Sequence, residues 1–368
     1  MRPRSAQLAA AAAVSVTVLG LGLTPVAPAA VARAGSLTPV ASAAPPTVDA
    51  RPGPAPPAPG VARGRLQIVP ELLTGRPPVA LAGQHWRLRG TIVPYLPGQR
   101  VTVRLTRGRR LLRAWSVRVL PAPGGREGSF RLSVTVRVTG TVTVTAVHPA
   151  TRTQASFAAA PRRVLVISGR VSPGSRGSSV HVLQQRLAAL HYAVPTSGVF
   201  DAGTARAVLA YRKVNRLARN SSVDRRVFSW LMRGRGAFRV RYPGHGKHVE
   251  ADLSRQVLAE ITPGGRVRRV YVLSSGKPST PTVVGHFRVY MREPGTNSHG
   301  MVDSSYFIGG YAIHGYAEVP TYAASHGCLR VPIPDAAAIF SWLRIGDRVD
   351  VYAHGRGGSR RVRGNAGP

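Results

Sequence analysis

The hydrophobic residues of this 368-residue chain follow three patterns in succession, and their order limits the fold more than any other feature. Apolar and polar residues alternate over residues 65–168, recur every three or four residues over 171–233, and return to strand-like runs over 237–353. A period of two belongs to β-strands and a period near 3.6 to α-helices, so one sheet or one helical bundle cannot accommodate all three segments. The sequence therefore predicts a multidomain, mainly β protein.

The first patterned segment, residues 65–168, is predicted to form an antiparallel β-sandwich. Val101, Val103 and Leu105 alternate with polar residues, as expected of a strand that buries one face. Pro-Gly and Gly turns separate this run from its neighbours, and short strands at such spacing are typical of sandwiches of about 100 residues. We expect an immunoglobulin-like sandwich. Since it holds no cluster of catalytic residue types, a spacer or docking role is the simplest interpretation.

Residues 171–233 carry a helical pattern. Apolar residues at positions 180, 183, 187 and 190 fall on one face of an α-helix. Two further helices are expected after Asp201 and Asp224, because an aspartate at the N-cap accepts hydrogen bonds from the first turn. Ser178 or Ser179 is the expected cap of the first helix. This segment predicts a compact three-helix domain.

The last patterned segment, residues 237–353, is again rich in strands. Gly264 and Gly265 form a turn signal between its second and third predicted strands. The expected strands span residues 248–253, 256–261, 268–273, 282–290 and 348–352, and one helix is expected at 334–343. The sequence predicts a β-rich C-terminal domain.

The N-terminal segment has the composition of an export signal. A basic start with Arg2 and Arg4 precedes an uncharged run over residues 8–23, and small residues follow near Ala34. This order is typical of a secretory signal peptide, which we place at residues 1–34. An uncleaved membrane anchor is the alternative, although the run is shorter than the ~20 residues that usually span a bilayer.

The net charge of the chain indicates which kinds of molecule it can bind. The chain has 51 Lys and Arg against 14 Asp and Glu, a formal net charge of +37, so its surface favours polyanions. Export argues against nucleic acid and leaves anionic polymers of the cell envelope. Membrane contact is expected only through the signal peptide, if that peptide stays uncleaved. A Pro- and Ala-rich linker is expected at residues 35–64, and a flexible tail at 354–368.

The chain has one cysteine, Cys328, and its neighbours are chemically unusual. It cannot form an internal disulfide, and an exported free thiol is a liability unless it is buried, paired between chains or used in chemistry. Two motifs accompany it, His314-Gly315 and Ser325-His326-Gly327-Cys328-Leu329-Arg330. Either histidine could activate the thiol, and the backbone amides around Gly327 could face a developing oxyanion.

Two alternatives compete with a catalytic cysteine. A structural cysteine acting as a small hydrophobe needs apolar neighbours, whereas the Ser-His-Gly before Cys328 is polar. A zinc site is the sharper alternative, because zinc binds imidazole and thiolate groups. None of its candidate ligands falls at the paired spacing of structural zinc sites, so no metal is expected. These candidates are His286, His299, His314, His326 and Cys328.

The C-terminal segment resembles the L,D-transpeptidase catalytic domain, the YkuD family. That family's signature is a His-Gly followed at a distance by Ser-His-Gly-Cys-hydrophobic-Arg or Asn, and it is complete here. The resemblance implies that Cys328 is the nucleophile, His314 the general base and acid, and the Gly315 carbonyl the group that orients His314. It also implies no cofactor. The implied oxyanion donors are the amides of His326, Gly327 and Cys328, and the implied substrate-binding residues are Arg330 and Ser325.

Residues 171–233 resemble a second module, the peptidoglycan-binding type 1 repeat. The similar residues include Val182 to Leu187, Gly198 to Asp201, and Val223-Asp224. Both resemblances together imply an exported cell-wall enzyme that acts on peptidoglycan stem peptides. Its Cys328 thiolate would attack a stem tetrapeptide after the third residue, release D-Ala, and transfer the acyl group to an amine of a neighbouring stem, giving a 3→3 cross-link. The open alternatives are an L,D-carboxypeptidase with water as acceptor and a non-catalytic peptidoglycan-binding protein.

Overall fold

The computed structural model describes residues 63–354. The predicted signal peptide, almost all of the predicted linker and the predicted tail beyond His354 lie outside the described residues. The described part is mainly β, with 19 strands and four helices. No helix within it is both long and apolar enough to cross a membrane.

The first ten strands form two sheets over one hydrophobic core. They are β1 (Arg65–Glu71), β2 (Val79–Leu81), β3 (His85–Val93), β4 (Arg100–Arg107), β5 (Arg110–Arg118), β6 (Leu120–Pro121), β7 (Gly128–Thr135), β8 (Gly140–His148), β9 (Phe157–Ala158) and β10 (Arg162–Ile167). The sheet orders are β1-β3-β7-β6 and β2-β10-β8-β4-β5, with β9 paired to β8. Trp86 from one sheet and Val103 and Val144 from the other are buried in the shared core. In β3, β4 and β8 the alternating pattern marks one buried face of the strand, while the immunoglobulin-like assignment stays a prediction.

The helical segment folds into α1 (Ser178–Ala189), α2 (Ala202–Val214) and α3 (Arg225–Met232). Asp201 and Asp224 are the N-caps of α2 and α3, and their carboxylates accept the backbone amides of Thr204 and Val227 at 2.8 and 2.9 Å. The predicted serine cap of α1 is wrong. Gly177 is the N-cap there without a side-chain hydrogen bond, and Ser179 Oγ instead accepts the Ser168 amide at 3.0 Å.

The C-terminal domain contains two sheets and one helix. Its elements are β11 (His248–Asp252), β12 (Val257–Ile261), β13 (Val267–Val272), β14 (Gly285–Arg288), β15 (Met291–Thr296), β16 (Val302–Ile308), β17 (Tyr311–Tyr316), β18 (Leu329–Pro332), α4 (Ile333–Trp342) and β19 (Arg348–Tyr352). The sheet orders are β13-β12-β11-β19-β14 and β15-β16-β17-β18. The strand predicted over 282–290 is only the four residues of β14, while the ends of the other predicted elements differ by at most one residue.

The helical segment shares its core with the domains on both sides of it. Val257, Ala259 and Val270 of the five-stranded sheet are fully buried in the same cluster as the apolar faces of the three helices. The backbone continues this contact, because the Ala193 amide donates to the Val270 carbonyl and the Val270 amide to the His191 carbonyl. Ile167 of the sandwich joins the cluster from the other side. The helical segment thus supplies part of the cover of the C-terminal sheet.

Candidate active site

The pairing of β17 with β18 brings the two cysteine-associated motifs together. These strands are parallel, with Ile313 opposite Leu329 and His314 opposite Arg330. Cys328 immediately precedes β18, and the Ala312 backbone of β17 lies close enough to lower the pKa of its thiol in part. Because side chains alternate along a strand, Cys328 and Arg330 share a face, and His314 lies on that same face of the neighbouring strand. The strand pairing therefore brings His314 close to Cys328 and Arg330, although it is more than ten positions from both in the sequence.

His314 is buried and held in one orientation. Its side chain is 2% exposed, and its Nδ1 donates to the Gly315 carbonyl at 2.9 Å. That hydrogen bond leaves Nε2 as the nitrogen with a free lone pair. Burial lowers the pKa of His314, and the positive charge of Arg330 lowers it further, against the opposing effect of the Gly315 hydrogen bond. The imidazole is therefore kept in its neutral, proton-accepting form.

Gly315 has a packing reason to be glycine. A Cβ at this position would lie 2.7 Å from the Ala336 Cβ of α4 and 3.1 Å from the Val302 Cβ of β16. Real Cβ atoms do not approach neighbours as closely as the first of these contacts, so a side chain would push β17 away from α4. The glycine keeps β17, and with it His314, in its position beside β18.

Cys328 is half-buried, and its sulfur lies 3.6 Å from the Gly310 carbonyl. Burial raises the pKa of the thiol, while the Ala312 amide and the Arg330 charge lower it in part. The resting sulfur is thus a neutral thiol that donates to a carbonyl. A thiolate forms only when a base removes this proton.

The loop before Cys328 is braced by buried hydroxyl groups. Ser325 is completely buried, and its hydroxyl donates to the Cys328 carbonyl at 2.6 Å and accepts the Gly327 amide at 3.0 Å. Thr282 donates to the Gly327 carbonyl at 2.7 Å. The substrate-binding role expected for Ser325 does not fit a fully buried hydroxyl. The Gly327 amide, expected to be an oxyanion donor, is already bonded to Ser325, which leaves the His326 and Cys328 amides as candidate donors.

Gly327 itself is required by the shape of this loop. Its φ of +127° lies in a region that side chains rarely adopt, and a Cβ there would lie 1.9 Å from the Tyr311 ring. The tyrosine ring occupies the space on this side of the loop. Glycine lets the chain pass against that ring and turn into Cys328.

Two cationic side chains flank the loop. The Arg330 guanidinium lies 4.0 Å from the centre of the Tyr316 ring, and it makes no ion pair with any residue in the range 63–354. Lys277 donates to Nε2 of the exposed His326 at 3.2 Å. Sequence reasoning assigned no role to Lys277, Thr282 or Tyr316. Lys277 was detectable, since it is one of very few lysines in an arginine-rich chain.

The zinc alternative at this site finds no support in the geometry. His286 belongs to the five-stranded sheet, where its Nδ1 lies 2.7 Å from Asp350. His299 is exposed in the turn between β15 and β16. His326 points to Lys277, and His314 to Gly315. Among the described residues, no three of the five candidate ligands named from the sequence lie together as a metal-binding group.

Comparisons with known proteins identify two families in this chain. Residues 246–351 match the family model of the L,D-transpeptidase catalytic domain (YkuD), and residues 176–231 match the peptidoglycan binding domain (PG_binding_1). An L,D-transpeptidase from Xylanimonas cellulosilytica is 35% identical, over 50% of this chain and 98% of its own, with a TM-score of 0.46. An L,D-transpeptidase from Enterococcus faecium is 27% identical, over 29% of this chain and 50% of its own, with a TM-score of 0.26.

A third solved structure, an L,D-transpeptidase from Stackebrandtia nassauensis, is 19% identical, over 50% of this chain and 95% of its own, with a TM-score of 0.33. A search of curated proteins found no match. The two matched family models and the sequence identity to the Xylanimonas protein are the findings that decide the family. The chain belongs to the L,D-transpeptidase family, and its catalytic domain follows a peptidoglycan-binding domain.

Proposed function

We propose that this protein is an exported L,D-transpeptidase in which Cys328 is the nucleophile and His314 the general base. The observation that carries the proposal is the parallel pairing of β17 with β18, which aligns His314 with Arg330 and leaves Cys328 at the entrance of β18. The pairing accounts for both halves of the motif with one structural element. No other group in the described residues combines a thiol, a buried base and free amides.

The reaction would proceed by two acyl transfers. His314 Nε2 takes the thiol proton as Cys328 Sγ attacks the carbonyl of the third residue of a stem tetrapeptide. The tetrahedral intermediate collapses to a thioester, and D-Ala leaves with the proton from His314. An amine of a neighbouring stem then attacks the thioester and gives a proton to His314. The 3→3 amide bond forms as the C–S bond breaks, and the Cys328 sulfur takes this proton from His314.

The other polar groups of the site would each support this reaction. The Gly315 carbonyl holds the His314 tautomer, in the way that a carboxylate does in other catalytic triads. The amides of His326 and Cys328 are the proposed donors to the oxyanion. Arg330 has no acidic partner among the described residues, so its guanidinium is free to bind a substrate carboxylate in a bidentate manner.

The domain assignment follows from the same family membership. We propose a sandwich at residues 65–168, a peptidoglycan-binding domain at 171–233 and a catalytic domain at 237–353. Peptidoglycan stem peptides are the proposed partner, and the net charge of +37 would add attraction to anionic wall polymers. An extracytoplasmic location agrees with both cell-wall domains. At that location the enzyme would share a compartment with its proposed substrate.

Mass spectrometry of muropeptides tests the proposal and its alternatives together. Incubation with disaccharide tetrapeptides should yield a 3→3 cross-linked dimer and free D-Ala. A tripeptide without dimer would indicate an L,D-carboxypeptidase, and unchanged tetrapeptide would indicate a binding protein. Cys328→Ser should abolish both products, because a hydroxyl is a far poorer nucleophile than a thiolate. Turnover by this variant near the wild-type rate would refute the cysteine mechanism.

A further inference from the structure

A second cluster of chemistry-bearing residues lies on the five-stranded sheet, away from Cys328. Across the neighbouring strands β11, β19 and β14, Glu250 is opposite Asp350 and Asp350 is opposite His286. The alternate residues Val249 and Val349 face the core shared with the four-stranded sheet. Because side chains alternate, the polar row faces the opposite side of the sheet. The cluster is therefore separate from the proposed active site.

Two imidazoles in this cluster lie within hydrogen-bond distance of one buried carboxylate. Asp350 is completely buried, and its two oxygens lie 2.9 Å from His245 Nδ1 and 2.7 Å from His286 Nδ1. One potential ligand atom from each of these three residues lies within 4.8 Å of the others. His245 comes from the segment that precedes β11, so the contact fastens that segment to the sheet.

A third imidazole faces the same carboxylates. His248 is completely buried, and its Nδ1 donates to the Gly246 carbonyl at 2.7 Å. Its Nε2 consequently points at Glu250 Oε1, 3.3 Å away, and at Asp350 Oδ2, 3.8 Å away. Beside two carboxylates, this nitrogen holds either a proton or a metal ion. A backbone carbonyl that orients an imidazole in this way is a common accompaniment of metal ligation.

The local charge also calls for a cation. Asp350 and Glu250 are both fully buried, and neither makes an ion pair with Lys or Arg within residues 63–354. Glu250 accepts the backbone amides of Arg241 and Tyr242 and the Tyr352 hydroxyl, whereas the side-chain partners of Asp350 among these residues are imidazoles. The nearby Arg241 guanidinium lies over the rings of Tyr242 and Tyr352. Two buried carboxylates on neighbouring strands are costly unless a positive charge is close to them.

We infer that His245, His286 and Asp350, with His248 beside them, form a structural binding site for one Zn²⁺ ion. Imidazole nitrogen and carboxylate oxygen are ligands that zinc accepts in four-coordinate geometry. The ion would lie between Asp350 and the imidazoles and would join β14, β19 and the segment before β11. Sequence spacing could not reveal the site, because the strand pairing assembles it from residues about a hundred positions apart.

Zinc titration of the full-length, tag-free protein tests this site. After dialysis against EDTA and removal of the chelator, elemental analysis and calorimetry should show one tightly bound Zn²⁺ per chain. Zinc should raise the melting temperature, and EDTA should reverse the rise. Co²⁺ in place of Zn²⁺ should give the visible absorption bands of a four-coordinate site.

Matched histidine variants decide where the ion binds. His286→Gln changes a partly exposed ligand and should weaken zinc binding by more than about tenfold. His245→Gln should do the same, whereas His299→Gln, an exposed histidine outside the cluster, should leave it unchanged. Failure to bind one Zn²⁺ per chain would overturn the inference. The histidines and carboxylates would then be joined only by hydrogen bonds. Undiminished zinc binding by His286→Gln and His245→Gln, with both variants folded by circular dichroism, would also overturn it.

Discussion

At the scale of single residues, the two proposed catalytic groups are both held neutral by burial. Burial lowers the pKa of His314 and raises that of Cys328, so the resting pair differs from a thiolate–imidazolium ion pair. The Cys328 thiolate that the sequence led us to expect would then form only when His314 accepts the thiol proton. This makes His314 the residue on which activation of Cys328 depends.

The two histidines of the motif should differ sharply in importance. His314→Ala should lower kcat/KM for acyl transfer by roughly 10²–10⁴-fold, because it removes the proposed base. His326→Ala should lower it by less than about tenfold, because its backbone amide, the proposed oxyanion donor, remains. Steady-state release of D-Ala from a soluble tetrapeptide measures both. The reverse order would assign the base role to His326.

The pH profile offers a second test of the same pair. A general base with a lowered pKa remains unprotonated below its ordinary value, so the acid limb of kcat/KM should have its midpoint below the usual histidine value of about 6.5. Arg330 contributes to this lowering through its charge. Arg330→Gln should therefore move the midpoint to higher pH, whatever its effect on substrate affinity. An acid limb that does not move in this variant would show that His314 does not govern it.

At the scale of elements, helix α2 reaches the catalytic domain through a buried lysine. Lys213 is 2% exposed, and its ammonium group donates to the carbonyls of Gln256 and Leu273, each at 3.1 Å. The Gln256 amide in turn donates to Ser275 Oγ, and the Ser275 carbonyl accepts the amide of Ser325. A chain of hydrogen bonds thus runs from α2 to the loop that holds Cys328.

Burial lowers the pKa of Lys213 to about 7, and the charge of Arg219 adds to this effect. In the unfolded chain a lysine keeps its proton to about pH 10. Between these values the unfolded state binds more protons, so the free energy of unfolding should rise with pH. From pH 6 to pH 9, wild type should gain about 3 kcal/mol relative to Lys213→Met.

Urea denaturation of both proteins at several pH values measures this difference. Lys247→Met removes the same charge from a partly exposed position and serves as the control, since its stability should follow the wild-type slope. A difference between wild type and Lys213→Met that is constant with pH would mean that Lys213 keeps its proton in the folded protein.

Local patterns predicted single elements well and their contacts poorly. The caps Asp201 and Asp224 were readable, because an N-cap bonds only to its own first turn. The pairing of His314 with Arg330 could not be predicted, because it depends on how distant segments pack. The hydrogen bond from the Gly327 amide to Ser325 is local, but it depends on a loop conformation that the sequence pattern does not specify. The Cys328 motif could be recognised from sequence, but not which of its amides remain free.

At the scale of the whole molecule, the sequence suggested three separable domains, whereas the structure shows shared cores. Val257, Ala259, Val270 and Val272 belong to the catalytic domain, yet they pack in the cluster formed by the three helices. Hydrophobic periodicity marks which faces are buried, but it does not identify the partner that buries them. Arg206 of α2 and Asp335 of α4 add an ion pair at 3.1 Å across the same boundary.

The catalytic domain should therefore depend on the helical domain for its stability. Removing residues 171–233 would expose several side chains that are now at most 3% exposed. Each buried valine contributes roughly 1.5–3 kcal/mol, so losing the cover of three of them approaches the 5–15 kcal/mol that stabilises a typical protein. A fragment of residues 237–354 should be largely unfolded or aggregated, and a fragment of residues 171–354 should fold. Thermal denaturation and the dispersion of NMR chemical shifts of the two fragments test this directly. If the shorter fragment unfolded cooperatively at the same melting temperature as the longer one, the prediction would be wrong. The sheet would then tolerate an exposed apolar face, and the helices would contribute to binding but not to stability.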